Sequence, residues 1–520
     1  MSPTDIAMGL RLLARLPSYL HHPFTVAESR AILRRRFERR EADFLLLAKG
    51  AIFGNRRSPY LPLLAGAGCE YGDLEHTVRA DGLEAALVRL YRSGVYLTSD
   101  EFKGRRTAAR DSMTVSAGPF RLRNPLISPH YWASTSGGRE PATAVPIDLD
   151  CIRDRAVNMY LAVDSRGGAG WTNAVWAMPA LAPILWFSAC GGPAARWFWP
   201  IGRRTPGLPA RYRWSARAVT WTARLSGVRL PAARCVPPEA PLPIARWMRR
   251  TLDTGGIPHL WTFVSAAARL CRAALEAGVD LVGAQFTVTG EPVTNVRLAA
   301  IRRIGAEVFP DYGSADSGGT AACGCLAPEA PDDVHLFSDL NALIQADAAP
   351  FPSGALLLTS LRPTAPFVLL NVSMGDRATV IERRCGCPVE ALGWTTHLRD
   401  IRSFDKTTAG GMTFADADIV RILDEVLPER FGGGPGDFQL IEVEAEGGRP
   451  SLLIRVHPSL AAFDPAALAD VFLSALGRSS MTSRIMALQI REARLLRIER
   501  GAASAAPSGK VLHVWSGGCP

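Results

Sequence analysis

The chain has 520 residues, of which 48% are hydrophobic and 21% charged, with a formal net charge of +10. That length buries more than one core, so two or three domains are expected in an ordinary globular composition. The basic residues are spread along the whole chain, which argues against a nucleic-acid or anionic-lipid patch, and ten cysteines are too dilute for a disulfide scaffold.

In chain order, the N-terminal apolar run carries Arg11 and Arg15, which break a secretory or membrane-anchoring segment and leave an amphipathic docking helix. The cytoplasm is therefore the expected location. Helical spacing from Val26 to Phe53 and from Gly82 to Tyr91 makes residues 1–115 a helical lead-in. From 116 to 398, short apolar runs alternate with helical patterns, as in α/β layers. Ala174 to Cys190 has nearly the length of a membrane span, but Pro179 and Pro183 favour a buried strand, a proline turn and a core helix. The proline-rich stretches Gly202 to Pro209 and Pro231 to Pro243 read as surface excursions, and the tryptophans around them as packing or pocket lining.

Gln285 to Thr289 reads as a short interior strand ending in a turn of Gly290, Glu291 and Pro292. A second strand, Ala306 to Phe309, delivers Asp311, Tyr312, Gly313, Ser314 and Asp316. Tyr312 offers a flat face to a purine, Gly313 allows close backbone approach, and Asp316 faces a phosphate or its metal. Residues 351–381 read as strands and tight turns ending at Gly375 and Asp376. Residues 399–411 read as a hinge, and 412–520 as a small α+β domain with a helix from Asp418 to Leu427, strands at Phe438 to Glu444 and Ser451 to Val456, and a helix from Pro465 to Leu476.

The pair Thr289-Gly-Glu-Pro292 and Asp311-Tyr-Gly-Ser-Ala-Asp316 resembles the adenine-binding and Tyr-Gly-x-x-acid motifs of adenylate-forming ligases, in their phenylacetate-CoA ligase branch. The resemblance implies an α/β fold: a large N-terminal adenylate-forming domain of layered sheets and helices, and a small mobile α+β C-terminal domain. It implies ATP-dependent activation of an aryl or acyl carboxylic acid as an acyl-adenylate, followed by transfer to a thiol. Coenzyme A is the first choice of acceptor.

Residue by residue, the resemblance makes Ser134, Thr135, Ser136, Gly137 and Gly138 the phosphate loop. The family loop usually reads Ser-Ser-Gly-Thr-Thr-Gly-Lys-Pro; here it is shortened, and Arg139 substitutes for the lysine. Hydroxyls and glycine amides suit that task because they cradle anionic oxygens. Asp316 would present Mg2+, with its carboxylate about one C–C bond (~1.5 Å) further back than the family's glutamate. Asp376 matches the acid that grips the ribose hydroxyls, Arg399 and Lys406 fall in the hinge, and Lys510 matches the mobile lysine that bridges carboxylate and phosphate. The chain has only four lysines, Lys49, Lys103, Lys406 and Lys510, so one at that position is informative.

Cys323, Cys325, His335, Cys385 and Cys387 form a separate constellation. Thiolates two apart on a turn can face one ion, and two such turns plus an imidazole supply a tetrahedral Zn2+ site, with spacing favouring Cys325 over Cys323. Unpaired buried cysteines are the other reading. The expected partner is a small carboxylic acid, with no nucleic acid and no membrane span. Two further readings stay open: an acyl-protein synthetase type that loads a protein cysteine or carrier protein, and a degenerate homologue that binds without turnover.

Overall fold

A computed structural model describes residues 3–515, apart from 111–112, 135–142, 179, 191, 203–209, 405–406, 410–411, 415, 446–448, 479–480, 493 and 506–508. The fold is α/β. A large unit is built on a 12-stranded mixed sheet, and a smaller unit has its own four-stranded sheet and its own apolar core between Ile419 and Val514.

From one edge of the large sheet the order is Asn341–Ala346, Ala355–Ser360, Val372–Glu382, Thr396–Ser403, Val334–Leu336, Gly319–Gly324, Glu307–Ser314, Gln285–Thr289, Pro258–Phe263, Thr172–Trp176, Arg196–Trp199 and Ala233–Cys235. The six strands from Glu307–Ser314 to Ala233–Cys235 run parallel, and the others pair antiparallel. Parallel strands need crossover helices that cover both faces, so, while the edge strand Ala233–Cys235 stays mostly exposed, the interior strands of this set are largely buried on both sides. Pro258–Phe263, for example, is buried at every position.

The segment Ala174 to Cys190 divides into the interior strand Thr172–Trp176 and the core helix Leu181–Ala189, with Pro183 in the helix's first turn and Pro179 outside the described residues. No helix among the described residues is long and apolar enough to cross a membrane. The helices of the first hundred residues pack on the same core as the large sheet. Thr25 caps Val26–Glu38 in a reciprocal box with Glu28, a pattern that satisfies two orphan amide donors.

Three expectations are corrected. Pro231 to Pro243 stays largely at the surface but is not purely a loop, because Ala233–Cys235 adds to Arg196–Trp199 as the sheet's edge strand. The strand expected at Ala306 to Phe309 continues to Ser314, since Gly319–Gly324 folds back and pairs with it. Gly375 and Asp376 lie inside the strand Val372–Glu382 rather than on a turn, with Asp376 opposite Ser403. Residues 203–209 lie outside the described residues.

In the smaller unit, Phe438–Ala445 and Arg449–Val456 form the central hairpin, flanked in parallel by Val514–Trp515 and Leu496–Arg500. The helix expected from Asp418 is split by a π-helical turn, Ile422–Val426, and Pro465–Leu476 packs beneath the sheet.

Candidate active site

The parallel pairing of three neighbouring strands ends in register: Phe263 pairs with Thr289, and Thr289 with Asp311. The carboxyl ends of parallel strands are where open α/β sheets bind ligands, because the chain leaves the sheet there and its turns converge. A cavity of about 780 Å3 opens at this edge, lined by Gly290, Glu291, Tyr312, Asp316, Asp376 and Lys510 among others.

Lys510 comes from the smaller unit. Its Nζ lies 5.5 Å from the Phe263 ring centroid, and its aliphatic stem lies against Gly290. A Cβ at Gly290 would stand 2.9 Å from Lys510 Cε and 3.1 Å from the Phe263 ring, and Gly290 has φ +75°. Only glycine fits both the turn and the lysine. Burial pushes the Lys510 ammonium pKa down, against the carboxylates of Glu291 and Asp376, which hold it up.

Glu291 fastens the strand ends to the incoming segment. Its carboxylate accepts from Ser265 N at 2.7 Å, Ser265 Oγ at 2.8 Å and Val511 N at 3.2 Å, so the residue after Lys510 is tied to the large unit. Pro292 lines the cavity beside it and gives its carbonyl to Arg297 Nη1 at 3.3 Å. Thr294 caps the helix Asn295–Arg302 that carries Arg297. The buried Arg297 guanidinium spans 2.7 Å to Asp424 and 3.3 Å to Glu291, with His513 Nε2 at 2.7 Å. His513 Nε2 also lies 2.9 Å from Asp424, and one nitrogen serves only one of these partners at a time.

Tyr312 and Asp311 are neighbours on a strand and point to opposite faces. The Tyr312 hydroxyl donates to Asp376 Oδ2 at 3.0 Å, which holds the aromatic ring and the acid side by side. Asp311 lies instead beside Arg166 and Trp261. Burial pushes its carboxyl up to about 7, with Arg166 opposing, and its Oδ2 has no hydrogen-bond partner among the described residues. Gly313 abuts the backbone of Gly319 and Thr320 with no room for a Cβ, and Ser314 Oγ accepts from Ser317 N at 3.2 Å.

Asp316 is buried, its Oδ1 lacks a partner among the described residues, and burial pushes its carboxyl up to about 6 against the opposing charge of Lys103. An orphaned carboxylate oxygen in a residue lining the cavity suits a hard cation, so Asp316 fits the Mg2+ role. Sequence reasoning missed Lys103; its only signal was the rarity of lysine. Ser134 closes the strand Tyr131–Ser134, while its side chain and Thr135, Ser136, Gly137, Gly138 and Arg139 lie outside the described residues. Lys406 lies outside them as well. Arg399 sits apart from the cavity lining, with Nη1 2.6 Å from Glu329.

The second constellation gathers elsewhere in the sheet. The potential ligand atoms of Cys325, His335, Cys385 and His397 lie within 4.8 Å of one another, and Cys387 Sγ is 3.3 Å from His335 Nε2. His335 Nδ1 donates to the Trp394 carbonyl at 2.6 Å, and His397 Nδ1 donates to Asp333 at 2.7 Å, which leaves both Nε2 lone pairs turned toward the thiols' side of the ring. His397 Nε2 has no hydrogen-bond partner among the described residues. A histidine whose other nitrogen is held by a carbonyl or carboxylate is the usual arrangement of a metal ligand, so the residues fit Zn2+. His397 was missed from sequence because only strand pairing brings it opposite His335. Cys323 falls outside this group and lies beside Asp311 and Arg166.

No family model and no curated protein matches the chain. Among solved structures, a 2-hydroxyisobutyryl-CoA ligase in complex with 2-HIB-AMP and CoA is similar at 18% identity, over 93% of this chain and 92% of that chain, with a TM-score of 0.46. The anthranilate CoA ligase AuaEII in complex with anthranoyl-AMP is similar at 12% identity over 77% and 67%, with a TM-score of 0.43. ATP-bound MatB from Rhodopseudomonas palustris is similar at 14% identity over 77% and 68%, with a TM-score of 0.40.

Proposed function

We propose that this chain is an adenylate-forming acid-thiol ligase. The carrying observation is that Lys510, from the smaller unit, enters the same cavity as the Gly290–Pro292 turn and the Tyr312–Asp376 pair, residues far apart in sequence.

Tyr312 stacks on the adenine of ATP, and Asp376 accepts from the ribose hydroxyls. The ammonium of Lys510 binds a carboxylate oxygen of the acid and a non-bridging oxygen of the α-phosphate, aligning them and neutralising the charge that builds during attack. The carboxylate oxygen forms a bond to the α-phosphorus as the bond to pyrophosphate breaks. A thiol sulfur then attacks the acyl carbonyl and AMP leaves. Mg2+, held by Asp316, would supply charge neutralisation on the phosphates. The partly buried position of Lys510 and the buried Glu291 side chain limit water at these contacts, which strengthens them.

Coenzyme A is the acceptor we favour, and the cysteine and histidine group is a structural Zn2+ site that ties the sheet strands together. Carboxylate-dependent exchange of labelled pyrophosphate into ATP tests the activation step. Absence of exchange with every acid in a broad panel, together with no ATP binding by calorimetry, would reduce the chain to a non-catalytic homologue. Thioester formation with coenzyme A, against none with carrier proteins, identifies the acceptor.

A further inference from the structure

Part of the cavity wall belongs to none of the nucleotide motifs. It comes from two helices remote in sequence, Pro3–His21 and Ala210–Leu225, which pack on one another. Met8, Gly9 and Leu12 line the cavity from the first, Ala218 and Val219 from the second, and Met178 joins them from the segment after Thr172–Trp176. Asp5 and Ser215 are the polar residues these helices add to the lining, and neighbouring His130 already uses Nδ1 to accept from Leu149 N at 3.3 Å.

Gly9 is the informative residue. Glycine within a helix is destabilising, so it is retained where it serves packing or leaves space. Its spacing from Asp5, Leu12 and Leu13 places it on the cavity-facing stripe of its helix. A Cβ there would meet nothing within 4 Å. The helix is thus open where the cavity borders it.

We propose that the acid activated at this site carries an extended apolar chain whose tail lodges between these two helices, against Gly9, Leu12 and Val219. The proposal rests on the ligase reading above. The carboxylate belongs at the Lys510 end, where the cation is, and the tail belongs at the end whose surface is mainly apolar. A compact aromatic or short acid would leave the helix wall facing water.

The test is acid-dependent pyrophosphate exchange with acetate, hexanoate, decanoate, tetradecanoate, benzoate and phenylacetate. Burial of each methylene should raise kcat/KM roughly fourfold, so decanoate should exceed acetate by at least about a hundredfold. In Gly9→Leu, a change that displaces no protein atom at Cβ, the decanoate-to-acetate ratio should fall by at least about tenfold. Ala218→Phe, from the opposite helix, should move the ratio the same way, and thermal unfolding checks that each variant is folded. Preference for acetate, benzoate or phenylacetate would overturn the proposal while leaving the ligase reading intact. So would an unchanged ratio in both folded variants. Exchange with no acid at all would overturn the ligase reading and this proposal with it.

Discussion

Replacing Arg297 by Met tests how the smaller unit is held against the site. The guanidinium is 1% exposed and sits between Asp424, 0% exposed, and Glu291, 3% exposed. Removing it leaves two buried carboxylates without their cation, a loss on the order of 3–5 kcal/mol for breaking a buried pair. The helix Asn295–Arg302 belongs to the large unit, whereas Asp424 and His513 belong to the smaller one, so the loss falls on their junction. Urea unfolding should show the first transition of Arg297→Met moved to lower denaturant. Asp424→Asn should cost less when added to Arg297→Met than alone, with a coupling of at least about 1 kcal/mol. Burial opposes Asp424 ionisation, but Arg297 and His513 overcome it and hold the carboxyl pKa well down. A depressed acid contributes stability that is fully present above the unfolded carboxylate pKa, about 3.9, and is lost as pH falls through and below it. The wild-type advantage over Asp424→Asn should therefore shrink in acid. Additive single effects, or an Arg297→Met cost under about 1 kcal/mol, would refute the junction argument.

Asp311 has the opposite sign, because burial raises its carboxyl to about 7. The stability it contributes is full below the unfolded value of about 3.9 and is lost as pH rises through 7, so Asp311→Asn should gain on wild type between pH 4 and 8, by a few kcal/mol at most. A pH-independent difference in melting temperature would contradict this. For the second constellation, protein purified without chelators should carry close to one Zn2+ per chain, and a strong chelator should lower the melting temperature. His397→Ala should weaken metal retention by about 10–100-fold if His397 is a ligand or holds one in place; unaltered retention would remove it from the site.

Much of the fold was legible where local signals suffice. The strand Gln285–Thr289 and the helix Pro465–Leu476 have the limits their apolar patterns and flanking glycine and proline imply. Ala174 to Cys190 parts into a strand and a helix, with Pro183 in the helix's first turn, where a missing amide donor costs nothing. What escaped depends on pairing between distant segments. Nothing near Tyr312 announces that Gly319–Gly324 will extend its strand, and nothing near Ala233 announces an edge strand between prolines. The candidate site divides in the same way. Gly290, Tyr312, Asp376 and Lys510 were visible as motifs, whereas His397, Arg297 and the cavity wall at Gly9 acquire their places only from the folded sheet and helix packing.

The most direct measurement of the central claim compares pyrophosphate exchange in wild type and Lys510→Met, alongside ATP binding by calorimetry. Lys510 is the smaller unit's cation in the cavity, and loss of one preorganised transition-state donor costs about 10²–10³ in rate. The account predicts at least about a hundredfold loss of acid-dependent exchange with ATP affinity changed less than about tenfold. Exchange at the wild-type rate in Lys510→Met would contradict it.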